Sequence, residues 1–252
     1  MVASYRLKKT VKSGFCYLNK ELIRVAIHPL RDHTGRMTAA PYTILVHGFL
    51  RSRYDMFLLA PRLRKLIPET SVHCFEYPSR KFTMHEAATR LADFVSAKTK
   101  GAPVSFVGHS LGGLVVRTLD SFPQSPARLQ RLVTLGTPHQ GARIAGFLGR
   151  LPAARAIGGP VLAELATPPV PPQPLHLEVG CVIGQTKTRF GYLPLFGRDN
   201  DGLVCVDEAV FPACTKEIRT FIFHGYFPFS QRSAQLAAQF LKHGSFDGSR
   251  GS

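Results

Sequence analysis

The sequence has no run of about 18 apolar residues, so no single helix of it is built to span a bilayer. It also lacks a signal-like apolar stretch near its start, where Lys8, Lys9, Lys12, Lys20, Glu21 and Arg24 interrupt every candidate. The expectation is a chain made for the cytoplasm, with peripheral membrane contact as an extension of it, or a mature form whose leader is missing. Cysteine is scarce and scattered, at Cys16, Cys74, Cys181, Cys205 and Cys214, with no C-x-x-C pair. That pattern favours free thiols over a disulfide framework and offers no metal-ligand spacing, so no metal is expected. Acidic residues are half as many as basic ones, 16 against 32, which leaves a net charge of +16. Such an excess attracts anionic substrates, anionic membrane surfaces or nucleic acid. The basic residues are dispersed and no nucleic-acid module is visible, so a nucleic-acid partner is not expected. A well-solvated basic surface is the plainer reading, with contact to an anionic membrane the added one. No internal repeat is present, and nothing sets the oligomeric state.

What the chain does contain is enough apolar material for one sizeable core. With 44% hydrophobic and 19% charged residues over 252 positions, it reads as a single globular domain across residues 1–252. Residues 1–40 are the least legible: Leu22 to Ile27 fits a strand or a helical turn, Arg31 to Arg36 a loop, and the whole segment a cover for one side of the core. From Tyr42 onward strands and helices alternate. Strands are expected at Thr43–Val46, Val72–Tyr77, Val104–Val107, Leu129–Leu135, Val179–Ile183 and Ile218–Phe223. Helices are expected over Met56–Ile67, from the Thr83 cap to about Lys98, from the turn at Ser110 to near Phe122, and over Ser230–Leu241. A loop through Gly191-Tyr192-Leu193 leads toward Asp199, and the Gly-Ser-Arg-Gly-Ser terminus is set aside as frayed. The alternation predicts an α/β fold: a mostly parallel central sheet with helices on both faces. Residues 141–177 break the rhythm with small helical patches and a proline-rich run, Thr167 to Pro174, and read as a cap inserted over a pocket.

The chemistry concentrates at Pro103 to Gly113. An apolar strand runs into Gly108-His109-Ser110-Leu111-Gly112 and then into a helical pattern. A serine at so tight a strand-to-helix turn is held in a strained conformation, with glycines where side chains would collide. Its hydroxyl then stands above the sheet at the positive end of a helix, suited to a developing anion. Such a hydroxyl needs a base, a carboxylate to orient the base, and donors for the oxyanion. Partners in this arrangement follow in the order Ser, acid, His. Downstream histidines are His139, His176, His224 and His243. His224, just beyond the last strand, is the expected base; His139 lies too near its strand and is assigned to bracing the pocket, and His243 suits a helix C-terminus. Asp201, followed by Gly202 and an apolar run, is the expected acid, with Asp199 and Asp207 in reserve. The amides of Leu111 and Phe49 are the expected oxyanion donors, because Gly48 frees the backbone there to turn inward. His47, Leu50, His109 and His139 complete the expected substrate pocket, whose apolar character suits an acyl chain.

Four segments together carry a resemblance: Val46-His47-Gly48-Phe49, Gly108 to Gly113, Gly136-Thr137-Pro138-His139-Gln140-Gly141 and Asp199-Asn200-Asp201-Gly202. Over roughly residues 42–244 the chain resembles the bacterial lipase/esterase branch of the α/β-hydrolase superfamily, including its GPI-inositol-deacylase-like members. The resemblance implies ester hydrolysis through an acyl-serine intermediate, without a cofactor, on a small-molecule or lipid ester. It fixes neither acyl length nor head group. Gly225-Tyr226-Phe227-Pro228 after His224 is bulkier than the family pattern. Two alternatives stand beside this reading, an acyltransferase of the same fold and a non-catalytic lipid-binding protein.

Overall fold

The computed structural model describes residues 40–123, 127–167, 176–186 and 198–247. The expectations for residues 1–39, including Cys16, for most of the proline-rich run, for the Gly191-Tyr192-Leu193 loop and for the last residues fall outside them. Among the described residues six strands form one sheet: β1 (Tyr42–Val46), β2 (Ser71–Phe75), β3 (Val104–His109), β4 (Leu129–Leu135), β5 (Glu178–Gly184) and β6 (Lys216–Thr220). Their spatial order is β2-β1-β3-β4-β5-β6, and every neighbouring pair is parallel. The described residues also form eight helices: α1 (Leu59–Leu66), α2 (Met84–Thr99), α3 (Leu111–Asp120), α4 (Arg143–Leu148), α5 (Pro152–Gly158), α6 (Pro160–Ala166), α7 (Val206–Ala209) and α8 (Gln231–His243).

Strand residues alternate between two cores, as the period of two demands. Ile44, Val46, Phe106 and Ile183 belong to the cluster that α2 and α3 cover. Leu45, Val107, Val133 and Val182 belong to the cluster covered by α1 and α8. With both faces buried, the central strands are nearly continuous apolar runs, the mark of a parallel sheet between helical layers. Strand order reverses between β1 and β3, and in open α/β sheets the crevice at that switch, beyond the carboxyl ends of the strands, is where ligands bind.

Three element expectations shift, the first being β2, which ends at Phe75 rather than Tyr77. The helix expected over Met56–Ile67 is divided: a 3-10 turn at Arg53–Met56, closed by a Ser52/Asp55 capping box, precedes α1. The last strand is Lys216–Thr220 rather than Ile218–Phe223. It is an edge strand paired only with β5, and Phe221 and Phe223 leave the sheet with exposed side chains. The Thr83 capping box is formed, with Glu86 closing it. Among the described residues no helix is long and apolar enough to cross a membrane.

Candidate functional site

Ser110 joins β3 to α3 at φ 52° and ψ −123°, a left-handed conformation that costs a non-glycine residue of order 1–3 kcal/mol. Its neighbours make this turn sterically feasible. A Cβ on Gly108 would lie 2.5 Å from the Gly113 nitrogen, and one on Gly112 would lie 2.2 Å from the Val46 carbonyl oxygen in β1. The turn is pinned by the Ser110 N–H, which donates to the Leu135 carbonyl (2.9 Å), and by the Thr137 hydroxyl, which donates to the Ser110 carbonyl (2.9 Å).

Asp201 and His224 meet 23 residues apart in sequence: the imidazole Nδ1 lies 2.7 Å from the carboxylate Oδ2, with both side chains buried. The other carboxylate oxygen accepts from the amides of Leu203 (3.0 Å) and Val204 (2.7 Å). The backbone repeats the link, His224 N–H donating to the Asp201 carbonyl at 2.8 Å. Room for the acid comes from the end of β5, where a Cβ on Gly184 would stand 2.4 Å from the Asp201 Cβ. His224 opens a 3-10 turn, His224–Phe229, and its carbonyl lies 3.0 Å from His109 Nε2. Burial, with the nearby His224 second, holds His109 well below the usual histidine range, so its ring is neutral and Nε2–H is the donor. The two rings stand 5.0 Å apart between centroids.

Ser110, His109 and His224 line one cavity of about 280 Å³. Phe49, Leu50 and Arg51 come to it from the loop after β1, Leu203 and Val204 from the segment after Asp201. Ala142 and three residues of α4 (Ile144, Ala145, Leu148) together with two of α6 (Leu162, Leu165) form its apolar wall, so part of the 141–177 insertion reaches the cavity. That insertion is tied down by the Ala142 amide on the Leu165 carbonyl (2.7 Å), the Met84 amide on Glu164 (2.6 Å), and Arg143 bonded to Asp207 (2.7 Å).

The expected site residues are therefore brought together unevenly. Ser110, His224, His109, Phe49 and Leu50 line the cavity; Asp201 stands behind His224. His47 and His139 do not line it, contrary to expectation. His47 is fully buried, stacked on Tyr77 at 4.4 Å, its Nδ1 3.0 Å from the Gly48 carbonyl and its Nε2 accepting from the Tyr77 amide. His139 lies against Arg117 (2.9 Å) and Thr134 (3.1 Å). His47 follows β1 directly and is packed into the core against Tyr77, and His139 is held there by Arg117 and Thr134. Of the reserve acids, Asp207 is taken by Arg143 and Asp199 is not among the lining residues. Among the described residues neither the Phe49 nor the Leu111 amide has a protein acceptor. Arg51, Thr137 and Gly184 were not singled out by sequence; only Thr137 had a signal, as part of Thr137-Pro138-His139. No cluster of three or more His, Cys, Asp or Glu among the described residues is arranged to hold a metal ion.

The parallel sheet carries the strained serine beyond β3 and the Asp201–His224 pair beyond β5 and β6. The chain has the α/β-hydrolase fold. Residues 40–149 match the family model described as "Putative serine esterase (DUF676)". That stretch includes Phe49, His109, Ser110 and Leu111 but neither Asp201 nor His224. Among solved structures, the mature lipase BlEst2 of Bacillus licheniformis superposes with a TM-score of 0.68 at 21% identity, over 81% of this chain and 93% of that one. The metagenomic carboxyl esterase MGS0156 gives 0.58 at 19% identity, over 75% and 66%. An extracellular α/β-hydrolase from a Paenibacillus species gives 0.51 at 16%, over 81% and 99%. No curated protein matches the chain by sequence.

Proposed function

We propose that this α/β-hydrolase cleaves carboxylic esters of apolar acyl chains, with Ser110 as nucleophile, His224 as base and Asp201 as the group that orients it. The family match and the lipase and esterase neighbours support ester hydrolysis as the activity class. The observation that carries the residue roles is the buried Asp201–His224 pair opening into the same apolar cavity as the strained Ser110. With Nδ1–H donated to Asp201, the free tautomer leaves the Nε2 lone pair as the ring's proton acceptor.

The Ser110 hydroxyl gives its proton to His224 Nε2 while its oxygen bonds to the ester carbonyl carbon. The carbonyl π electrons move onto oxygen, which the Phe49 and Leu111 amides receive; such donors are worth about 3 kcal/mol each in the transition state. Collapse breaks the bond to the alcohol oxygen, which takes the proton from His224 and leaves an acyl-serine. Water then repeats the sequence, losing its proton to His224, and Ser110 departs with a proton regained from it. Ile144, Leu148, Leu162 and Leu165 give the acyl chain an apolar wall, and burying it there contributes about 0.8 kcal/mol per methylene.

An ester series of increasing acyl length, run on wild type and on Ser110→Ala, tests this reading. Ser110→Ala should lose about 10⁴-fold or more in kcat/KM with an unchanged thermal midpoint, and a fluorophosphonate should label wild type at Ser110 alone. Full activity in Ser110→Ala would refute the assignment.

A further inference from the structure

Apart from its two histidines, the cavity is lined by one titratable side chain, Arg51, set among apolar residues. Arg51 belongs to the tight turn after β1: its amide donates to the Gly48 carbonyl (3.3 Å), and Leu50 is held at φ 53° with its amide on the Ser79 hydroxyl (3.0 Å). The guanidinium is fixed at one corner, where Nη1 donates to Asp55 Oδ1 at 2.7 Å. Asp55 is itself immobilised, its Oδ2 accepting from the Ser52 amide at 2.8 Å. The opposite corner faces the base: Nη2 lies 3.1 Å from where a Cβ on Gly225 would stand, immediately after His224. Among the described residues Nε and Nη2 have no protein acceptor. The Arg51 side chain is 32% exposed, so these donors are partly withdrawn from water without a substitute.

This location identifies a side of the substrate. In the proposed reaction His224 protonates the departing alcohol, so the alcohol occupies the part of the cavity beside the 224–225 loop. Arg51 stands at that loop, while the wall from α4 and α6 carries no charge. A guanidinium with unused donors recognises phosphate or carboxylate with charge-assisted, directional bonds. The net charge of +16 adds a long-range attraction for anions. We infer that the preferred substrates are esters whose alcohol portion carries an anionic group, held by Arg51, an inference that rests on the ester-hydrolase reading. Asp55 acts as the positioning residue that aims the fork.

Three butyrate esters test it on the full chain: those of ethylene glycol monophosphate, of hydroxypropanoate and of ethylene glycol monomethyl ether. Wild type should favour the anionic esters over the neutral one by about tenfold in kcat/KM, mainly through KM, with the preference shrinking as salt rises. Arg51→Gln should bring the ratio close to one, and Arg51→Lys should keep part of it, since the charge remains but the fork is lost. The phosphate and carboxylate arms show which anion is meant; preference for either one supports the inference. Because the ratio is taken within each variant, loss of folded protein does not imitate the effect. A wild-type ratio near one, or a ratio that survives Arg51→Gln, overturns the inference while leaving the ester-hydrolase reading intact. Failure of wild type to turn over any of the three overturns both.

Discussion

His139 and His224 occupy matching stations in the fold. Each lies four residues beyond the end of a strand, β4 ending at Leu135 and β6 at Thr220, and each is buried. Their partners are opposite. At His224 a carboxylate receives the ring N–H, which leaves the second nitrogen with its lone pair, as the proposed base requires. At His139 a guanidinium approaches instead: Arg117 Nη1 donates to Nδ1, so the proton sits on Nε2, toward the Thr134 hydroxyl. Phe211 closes the stack, 4.6 Å from the His139 ring and 4.1 Å from the Arg117 guanidinium. Burial, reinforced by Arg117, pushes His139 well below the usual histidine range, and burial lowers Arg117 to about 10. One ring has a carboxylate on its N–H, the other a guanidinium on its lone pair. The sign of the neighbouring charge, not the position in the strand order, separates the proposed base from the brace.

Asp201→Asn is the sharpest way to break this contrast, since the amide cannot hold His224 in its tautomer or balance an imidazolium. The expected loss in kcat is about 10³- to 10⁴-fold, measured on a soluble ester; a loss below tenfold would remove Asp201 from the mechanism. Next in size, His139→Phe leaves the buried Arg117 without its ring acceptor and should destabilise the fold by about 2–3 kcal/mol in urea unfolding. The kcat of the folded protein should stay within about threefold, and His139→Gln should restore most of the stability. A large kcat loss at either variant would make His139 more than a brace.

The smallest effect is in the pH dependence. A histidine whose folded value lies below its unfolded value of about 6.5 binds fewer protons folded than unfolded across that interval. Its contribution to stability is therefore complete above the interval and is lost as pH falls through it. His139→Gln should show a shallower decline in urea midpoint than wild type from about pH 7 to 5, with the remaining slope carried in part by His109 and His47, which burial also lowers. Equal slopes would mean that His139 is not held neutral.

Legibility in the sequence followed the range of the forces involved. The Ser110 turn was readable because its requirements lie within residues 108–113: an apolar strand, a helix start and glycines where backbones touch. The Thr83 cap was readable for the same reason. His224 stands out by chain order and His139 as a brace by nearness to its strand, but that His47 and His139 stay off the cavity wall is not legible, because strand-end position looks alike whichever way a ring is packed. Asp201 was preferred to Asp207 on turn chemistry alone. What separates them physically is Arg143, 64 residues from Asp207, which takes that carboxylate away. The insertion announced itself by its break in rhythm, whereas the residues of it that wall the cavity had no local mark.

The amino-acid order alone determined the α/β alternation, the parallel sheet and the strained serine, because backbone sterics and hydrophobic periodicity act over a few residues. Tertiary packing decided which carboxylate faces His224, which histidines are sealed away and that Arg51 borders the cavity. Those outcomes depend on charges and side-chain volumes brought together from segments tens of residues apart, and only the folded sheet sets them at bonding distance.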